Sequence, residues 1–325
     1  MRRILISGGA GFLGSHLCDR LFADGHSIVS VDNYSTGQER NIEHLSRSGS
    51  FLDINADVVT ELRIPGPFSA VLHFASPASP AAYLSHPVET LLAGSAGTAH
   101  MLDLALKNGA RFLLASTSEV YGDPQVHPQP ECYWGNVNPV GPRSVYDEAK
   151  RFSEALTTAY RTAYGLDAAI VRLFNCYGPR MRMDDGRMVP TFIRQALSSQ
   201  SITVSGTGEQ TRSICYVDDA VEGIIRLLHS DHSGPMNIGT ESEMTVLEVA
   251  NLVKEITSLQ SPIQFVSRPV DDPSLRRPDL TLARTVLGWE PKVGTREGLE
   301  RTISWFRSGL GGSARAGDAE RAHET

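Results

Sequence analysis

The run RILISGGAGFLGSHLCDRLFADGHSIVSVDN, from Arg3 to Asn33, constrains the fold more tightly than any other part of the chain. Ile4, Leu5 and Ile6 make a short apolar run of the kind shown by buried parallel strands. Gly8, Gly11 and Gly14 follow with GxxGxxG spacing, Leu13, Leu17 and Leu21 recur at helical spacing, and Gly25 closes the helix. A second apolar run, SIVSV, delivers Asp32. The early glycines let a backbone approach a pyrophosphate, and Gly14 lets the helix pack tightly on the strand. The helix N-terminus offers unpaired N–H groups and a partial positive charge. Asp32 suits the adenosine ribose hydroxyls and would repel a 2′-phosphate, which points to NAD and not NADP. A glycine turn alone joins many strands to helices, so motif, helix and terminal acid carry the assignment together. In NADV, Asp57 reads either as an adenine-side residue or as a solvated loop acid.

The chain continues in the same manner. AVLHFAS (70–76) and RFLLAST (111–117) read as buried strands, with the helical TAHMLDLALKNGA between them. Alternating strands and helices imply an α/β fold, a Rossmann-type doubly wound parallel sheet whose ligands lie beyond the carboxyl ends of the strands. Thr117, Ser118 and Glu119 fall there, as do Ala75 and Ser76. Residues 1–174 read as the NAD-binding domain, with 216–234 returning to it. A smaller, discontinuous substrate-binding lobe takes 175–215 and 235–307. The segment 308–325, rich in Gly, Ala and charge, reads as a disordered tail. Asp218 and Asp219 open the apolar run AVEGIIRLL and read as helix caps.

The formal charge of −7 leaves no basic stripe for nucleic acid, and no apolar run approaches a membrane span. The apolar run at the N-terminus is too short for a signal peptide, so a cytoplasmic protein is expected. Cys18, Cys132, Cys176 and Cys215 show no metal spacing and read as reduced thiols in or near the core.

In SVYDEAKRFSEALTTAYRTAYG (144–165), Tyr146 and Lys150 lie four residues apart on one helix face. An ammonium there favours the phenolate, so the expectation is a lowered tyrosine pKa and a base near neutral pH. A surface tyrosine and lysine on an amphipathic helix is the plain alternative. The dinucleotide motif, Thr117 at a strand end and YxxxK together resemble the extended, nucleotide-sugar-modifying branch of the short-chain dehydrogenase/reductase superfamily, the NAD-dependent epimerase/dehydratase family. The segments TSEVYGDPQVHPQPECYWGNVNPVGPRSVYDEAKR, HFASPASPAAYLSHP, LFNCYGPRMRMDDGRMVP, GEQTRSICYVDD and DDPSLRRPDLTLARTVLGWEP resemble the UDP-glucuronate decarboxylase (UDP-xylose synthase) family within it.

That resemblance implies an NAD-dependent carboxy-lyase that oxidises the sugar at C4, releases carbon dioxide from the β-keto acid and returns the hydride. It implies that Thr117 and Tyr146 hold the C4 hydroxyl and that Lys150 binds the nicotinamide ribose. Glu119 would position the ring or a water near C5, and Arg276 would sit beside the sugar carboxylate. NAD contacts implied are Gly8, Gly11, Phe12, Leu13, Gly14, Asp32, Asn33, Thr36, Gly37, Asp57, Val58, Ala75, Ala115, Tyr146 and Lys150. For the nucleotide sugar they are Tyr83, Thr117, Glu119, Tyr146, Asn175, Val189, Thr203, Arg212 and Arg276; a structural salt bridge remains the alternative for Arg212. Thr-Ser-Glu departs from the Asp-Glu pair of 4,6-dehydratases, because the Ser118 hydroxyl is too weak an acid to protonate a leaving hydroxyl. Gly94 and Leu92 stand where many family members carry Asn and Lys, which leaves a TDP-sugar open. A 4,6-dehydratase, a 4-epimerase and a non-catalytic NAD sensor are the rival readings. A homodimer through the Tyr146 helix is implied by resemblance; Phe152, Leu156 and Ala159 have suitable spacing for the contact, with a place in the core as the alternative.

Overall fold

The computed structural model describes residues 1–321. The first half runs β1 (Arg3–Ser7), α1 (Phe12–Ala23), β2 (Ser27–Asp32), β3 (Phe51–Asn55), β4 (Ala70–His73), α2 (Pro80–Ser85), α3 (Pro87–Leu92), α4 (Thr98–Asn108) and β5 (Arg111–Thr117). It continues through α5 (Ser144–Tyr164), β6 (Ala168–Leu173), β7 (Cys176–Tyr177), α6 (Met188–Leu197), β8 (Ile202–Ser205), β9 (Thr211–Ser213) and β10 (Cys215–Tyr216). The remainder is α7 (Val217–His229), β11 (Pro235–Ile238), β12 (Glu243–Thr245), α8 (Val246–Thr257), β13 (Ile263–Val266), α9 (Thr281–Leu287) and α10 (Thr295–Arg321).

Seven strands form one sheet in the order β11-β6-β5-β4-β1-β2-β3, parallel throughout. The apolar runs are continuous because both faces are covered. Ile4, Ile6, Leu72 and Leu113 join the layer containing Leu17, Leu21 and Ile224. Leu5, Val71, Phe112 and Leu114 join the layer containing Met101 and Leu102. Strand order reverses at β1, with β2 on one side and β4 on the other, which opens a crevice above their carboxyl ends. Three two-stranded ladders, β7 with β10, β8 with β13 and β9 with β12, lie outside this sheet, and α6 packs on α8.

The structure corrects several expectations. Residues 235–238 do not open the second lobe; they form β11 at the edge of the central sheet, paired with β6. PMNI is too short, and too polar at Asn237, to read as a strand. Helix α10 runs to Arg321, past position 308 from which the sequence anticipates a disordered tail. Residues 322–325 of that expected tail lie outside the described residues. Asp218 and Asp219 sit in the first turn of α7 without capping it; Asp219 Oδ2 accepts from Val293 N at 2.8 Å and Asp218 pairs with Arg301. Cys132 is exposed, unlike the buried Cys18 and Cys215. No helix among the described residues is long and apolar enough to cross a membrane.

Between α3 and α4 the chain makes a π-helical turn, Ala93–Gly97, against α5. Gly94 has no room for a side chain: a Cβ would lie 2.7 Å from Ala149 Cβ and 2.9 Å from the Ala149 carbonyl oxygen. Its own carbonyl accepts from Ser153 Oγ at 2.7 Å. Close approach of the π-turn to α5 accounts for glycine at this position. Gly94→Ala should therefore destabilise the fold by about 1–3 kcal/mol in urea unfolding. Adding Ala149→Gly should recover part of that loss, and only part, because the Ala149 carbonyl stays in the way. Equal stability of wild type and Gly94→Ala would refute the packing argument.

Candidate active site

A cleft of about 1180 Å³ opens where the strand order reverses. At its floor Gly8 has φ +75°, and a Cβ there would meet the Ala75 nitrogen at 2.7 Å. A Cβ on Gly14 would lie 1.9 Å from the Gly8 carbonyl oxygen. Gly11 precedes α1 and provides no side-chain cap for its first turn, and Phe12 and Leu13 of that turn line the cleft. A bare-backbone cradle at a helix N-terminus fits a dinucleotide pyrophosphate.

Asp32 ends β2 at the same edge and is buried. It accepts from Ala10 N at 3.0 Å and Tyr34 N at 2.9 Å. Burial raises its pKa, while those two backbone donors pull it down. Gly37 does not line the cleft; it packs behind Asp32, where a Cβ would stand 2.8 Å from either carboxylate oxygen. Asn33 Nδ2 donates to Asp57 Oδ2 at 3.0 Å, so Asp57 is a tethered residue of the cleft wall and not a free loop acid. Thr36, Val58, Ala75 and Ala115 complete this half.

Thr117 ends β5, and Tyr146 and Lys150 project from α5 into the same space. All three are buried. Lys150 Nζ donates to the Ala115 carbonyl at 3.0 Å and lies 5.8 Å from the centre of the Tyr146 ring. Burial lowers the Lys150 pKa to about 8, with Glu154 acting in the opposite direction. The Tyr146 pKa moves against expectation. Burial pushes it up and the Glu119 charge adds to that, while Thr117 and Arg187 pull it down by less. Sequence spacing reports the neighbour on the helix but not the loss of water around the phenol, and here desolvation is the larger effect. Tyr83, also buried, stacks on Tyr146 with ring centroids 5.2 Å apart and planes 7° apart; its hydroxyl has no partner among the described residues.

Glu119 is clamped by two arginines. Arg276 Nη1 donates to its Oε1 at 2.8 Å, and Arg143 Nη2 to its Oε2 at 2.6 Å. Burial alone would raise the Glu119 pKa, but Arg276 and then Arg143 outweigh it and hold the carboxyl well below its usual range. Ser118 is more than a missing acid: its Oγ accepts from Arg276 Nη1 at 2.9 Å, and Gly122 O accepts from Nη2 at 3.0 Å. Arg276 is 1% exposed. Arg143, which sequence reasoning missed, lies three residues before Tyr146 in PRSVY, and its position at the helix entry was the available signal. Asp147 lies beside this group with one buried oxygen unpartnered among the described residues; burial and then Glu119 raise its pKa to about 7.

The opposite wall holds Asn175, Val189, Thr203 and Arg212. Arg212 Nη2 donates to Asp272 Oδ2 at 2.9 Å, so it faces the cleft already ion-paired. Thr203 Oγ1 accepts from Gln195 Nε2 at 2.8 Å. Arg180 and Arg187 also line the cleft, with Arg187 6.0 Å from the Phe12 ring centre. They follow YGP in the sequence but carry no local motif. Leu92, at the cleft edge, is 41% exposed and brings no charge.

The sequence model of the NAD dependent epimerase/dehydratase family matches residues 4–239. The chain is 51% identical over 305 residues to UDP-glucuronic acid decarboxylase 1 of Danio rerio, covering 94% of this chain and 72% of that one. It is likewise 51% identical over 306 residues to UDP-glucuronic acid decarboxylase 3 of Arabidopsis thaliana, with 94% and 89% covered. Among solved structures, UDP-glucose 4-epimerase of Thermotoga maritima with UDP-glucose superposes with a TM-score of 0.87 at 30% identity, covering 95% of this chain and 99% of that one. The dTDP-glucose 4,6-dehydratase DesIV of Streptomyces venezuelae with NAD bound superposes at 0.86 and 26% identity, covering 95% and 98%.

Asp147 has a pH signature. Its folded pKa, near 7, lies above the ordinary value of 3.8, so the folded protein binds this proton more tightly than the unfolded chain does. The resulting stability is full below about pH 4 and falls as pH rises towards about 7. Asp147→Asn should remove that fall, read as the difference in melting temperature between wild type and variant across the window. A constant difference from pH 4 to 7 would count against it.

Proposed function

The chain belongs to the NAD-dependent epimerase/dehydratase family, and from that premise we propose that it decarboxylates UDP-glucuronate to UDP-xylose and carbon dioxide with NAD as a recycled cofactor. One observation carries the reading: 51% identity across 94% of the chain to relatives named UDP-glucuronic acid decarboxylases. The state of Glu119 supports it. Dehydration needs an acid to protonate a leaving hydroxyl, and a carboxylate held ionised by Arg276 and Arg143 is poorly suited to that task.

Gly8, Gly11 and Gly14 with the α1 N-terminus would hold the NAD pyrophosphate, Asp32 the adenosine ribose and Lys150 the nicotinamide ribose. Bound NAD supplies the hydride acceptor and donor at sugar C4, and its positively charged ring adds to the charges that favour a Tyr146 phenolate. Tyr146, with Thr117 beside it, takes the proton of the C4 hydroxyl. The resulting ketone is β to the C6 carboxylate. The C5–C6 bond then breaks, carbon dioxide leaves, and the electron pair moves through C5 to the C4 oxygen. Hydroxyl donors at Thr117 and Tyr146 stabilise that oxygen where its charge develops. Arg276 and Arg143 present positive charge on the carboxylate side, and Glu119 orients C5 or the water that reprotonates it. Tyr83, stacked on Tyr146, fixes the phenol ring. Asn175, Val189, Thr203 and Arg212 line the path for the diphosphate and base; Arg212 would exchange Asp272 for phosphate.

The assembly we propose is a homodimer through α5. Phe152 is 50% exposed there, and Leu84, Val88 and Leu91 are exposed on the adjoining α2 and α3. Four unpaired cysteines suit a reducing compartment, and we assign the protein to the cytoplasm.

With NAD and UDP-glucuronate, the purified protein should release carbon dioxide and a nucleotide pentose, followed by mass spectrometry. Tyr146→Phe should lower kcat by about 10²-fold or more with NAD still bound. Loss of water, or an unchanged product mass, would overturn the decarboxylase reading. Phe152→Glu should shift the protein to monomer in size-exclusion chromatography.

A further inference from the structure

Glu154 takes no part in the chemistry above, yet it stands directly behind it. It follows Lys150 by four residues and shares its face of α5. Its Oε1 accepts from Ser116 Oγ at 2.5 Å and Arg172 Nε at 2.9 Å, and its Oε2 from Arg172 Nη2 at 2.7 Å. Ser116 lies between Ala115, whose carbonyl receives the Lys150 ammonium, and Thr117. Arg172 Nη1 continues to the Tyr121 hydroxyl at 3.0 Å, which donates to Asn237 Oδ1 at 2.8 Å. One carboxylate on α5 is thereby tied to β5, β6 and β11.

Among the described residues the buried Lys150 ammonium has one acceptor, the uncharged Ala115 carbonyl. We propose that Glu154 is a positioning residue for Lys150, a fixed anion behind the ammonium that is locked to the strand bearing Thr117. Ammonium, phenol and threonine hydroxyl then keep a common frame. The competing role is purely structural, an ion pair with Arg172 that fastens α5 to β6. Electrostatics separates the two. Glu154 is the anion that sustains the Lys150 charge against desolvation. Tyr146 on α5 and His73 on β4 also stand near Lys150; burial and then Lys150 push the His73 pKa down to about 3, which keeps that ring neutral. Arg172 on β6 and Tyr121 beyond β5 face Glu154.

The inference rests on Tyr146 and Lys150 forming the reactive pair, but its test reads Lys150 directly. The sequence contains only Lys107, Lys150, Lys254 and Lys292, so the full-length protein labelled at lysine 13Cε gives few signals, and Lys150→Arg identifies the relevant one. In wild type the Lys150 signal should titrate near pH 8. Glu154→Gln should move that midpoint down by about one pH unit, because loss of the anion disfavours the charged amine. The alkaline limb of kcat for carbon dioxide release should move with it, and Glu154→Asp should bring both back towards wild type. If Glu154→Gln fails to fold because Arg172 is left unpaired, Glu154→Gln/Arg172→Gln removes both charges, and a downward shift smaller than that of the single variant is expected, because loss of the Arg172 cation offsets part of the loss of the anion. An unmoved Lys150 midpoint with a lowered melting temperature would reduce Glu154 to a structural residue and overturn the proposal. A wild-type protein that releases no carbon dioxide would overturn the decarboxylase reading alone, since the lysine titration still decides the role of Glu154.

Discussion

The cleft is organised around the ion pair between Glu119 and Arg276. The two residues are 157 positions apart, and Arg276 is almost without solvent contact. Removing one partner of such a pair leaves an uncompensated buried charge, at a cost of about 3–5 kcal/mol. The pair joins the end of β5 to the segment before α9, and Arg143 extends it to the entry of α5. Three stretches that bear functional candidates are therefore held by one carboxylate. Ser118 and the Gly122 carbonyl take further Arg276 donors, which keeps the guanidinium from turning away.

A second polar assembly underlies the first. Glu154 and Arg172 bind α5 to β5 and β6, and Arg172 reaches Tyr121 and, through it, Asn237 on β11. Asn237 Nδ2 donates to the Gln129 carbonyl, and Gln129 exchanges hydrogen bonds with the backbone of Arg277, next to Arg276. The Lys150 side and the Arg276 side of the cleft share this connected set of hydrogen bonds. Every bond in it runs between segments distant in sequence, so no local pattern announces it. A buried network joined at this many points favours a single arrangement, as a site that must align three donors requires, although Nε of Arg276 and of Arg277 finds no partner among the described residues.

Local order was readable wherever it depends on neighbours in the chain. The glycine turn, the amphipathic α1, the apolar strands and the YxxxK helix were all legible because periodicity and turn chemistry act over a few residues. Every candidate site residue except Gly37 lines one cleft, and Gly37 supports Asp32 from behind. What escaped has a shared cause. β11 is a four-residue edge strand whose partner lies more than sixty residues away. Arg143, Arg180 and Arg187 are common surface residue types until folding turns them inward. Ser118 looked like an absence and proved to be an acceptor.

The amino-acid sequence alone made legible the fold class, the glycine turn and the Tyr146–Lys150 spacing, because backbone freedom at glycine and side-chain spacing on a helix are local properties, whereas Thr117 and Glu119 were singled out by their place at a strand end and by family resemblance. Tertiary structure decided the protonation states. Burial turned the expected lowering of the Tyr146 pKa into a rise, two arginines distant in sequence hold Glu119 low, and burial and then the Glu119 charge push Asp147 upward. Desolvation and charge–charge coupling depend on what surrounds a group in space, and that environment is assembled from segments the chain itself keeps far apart.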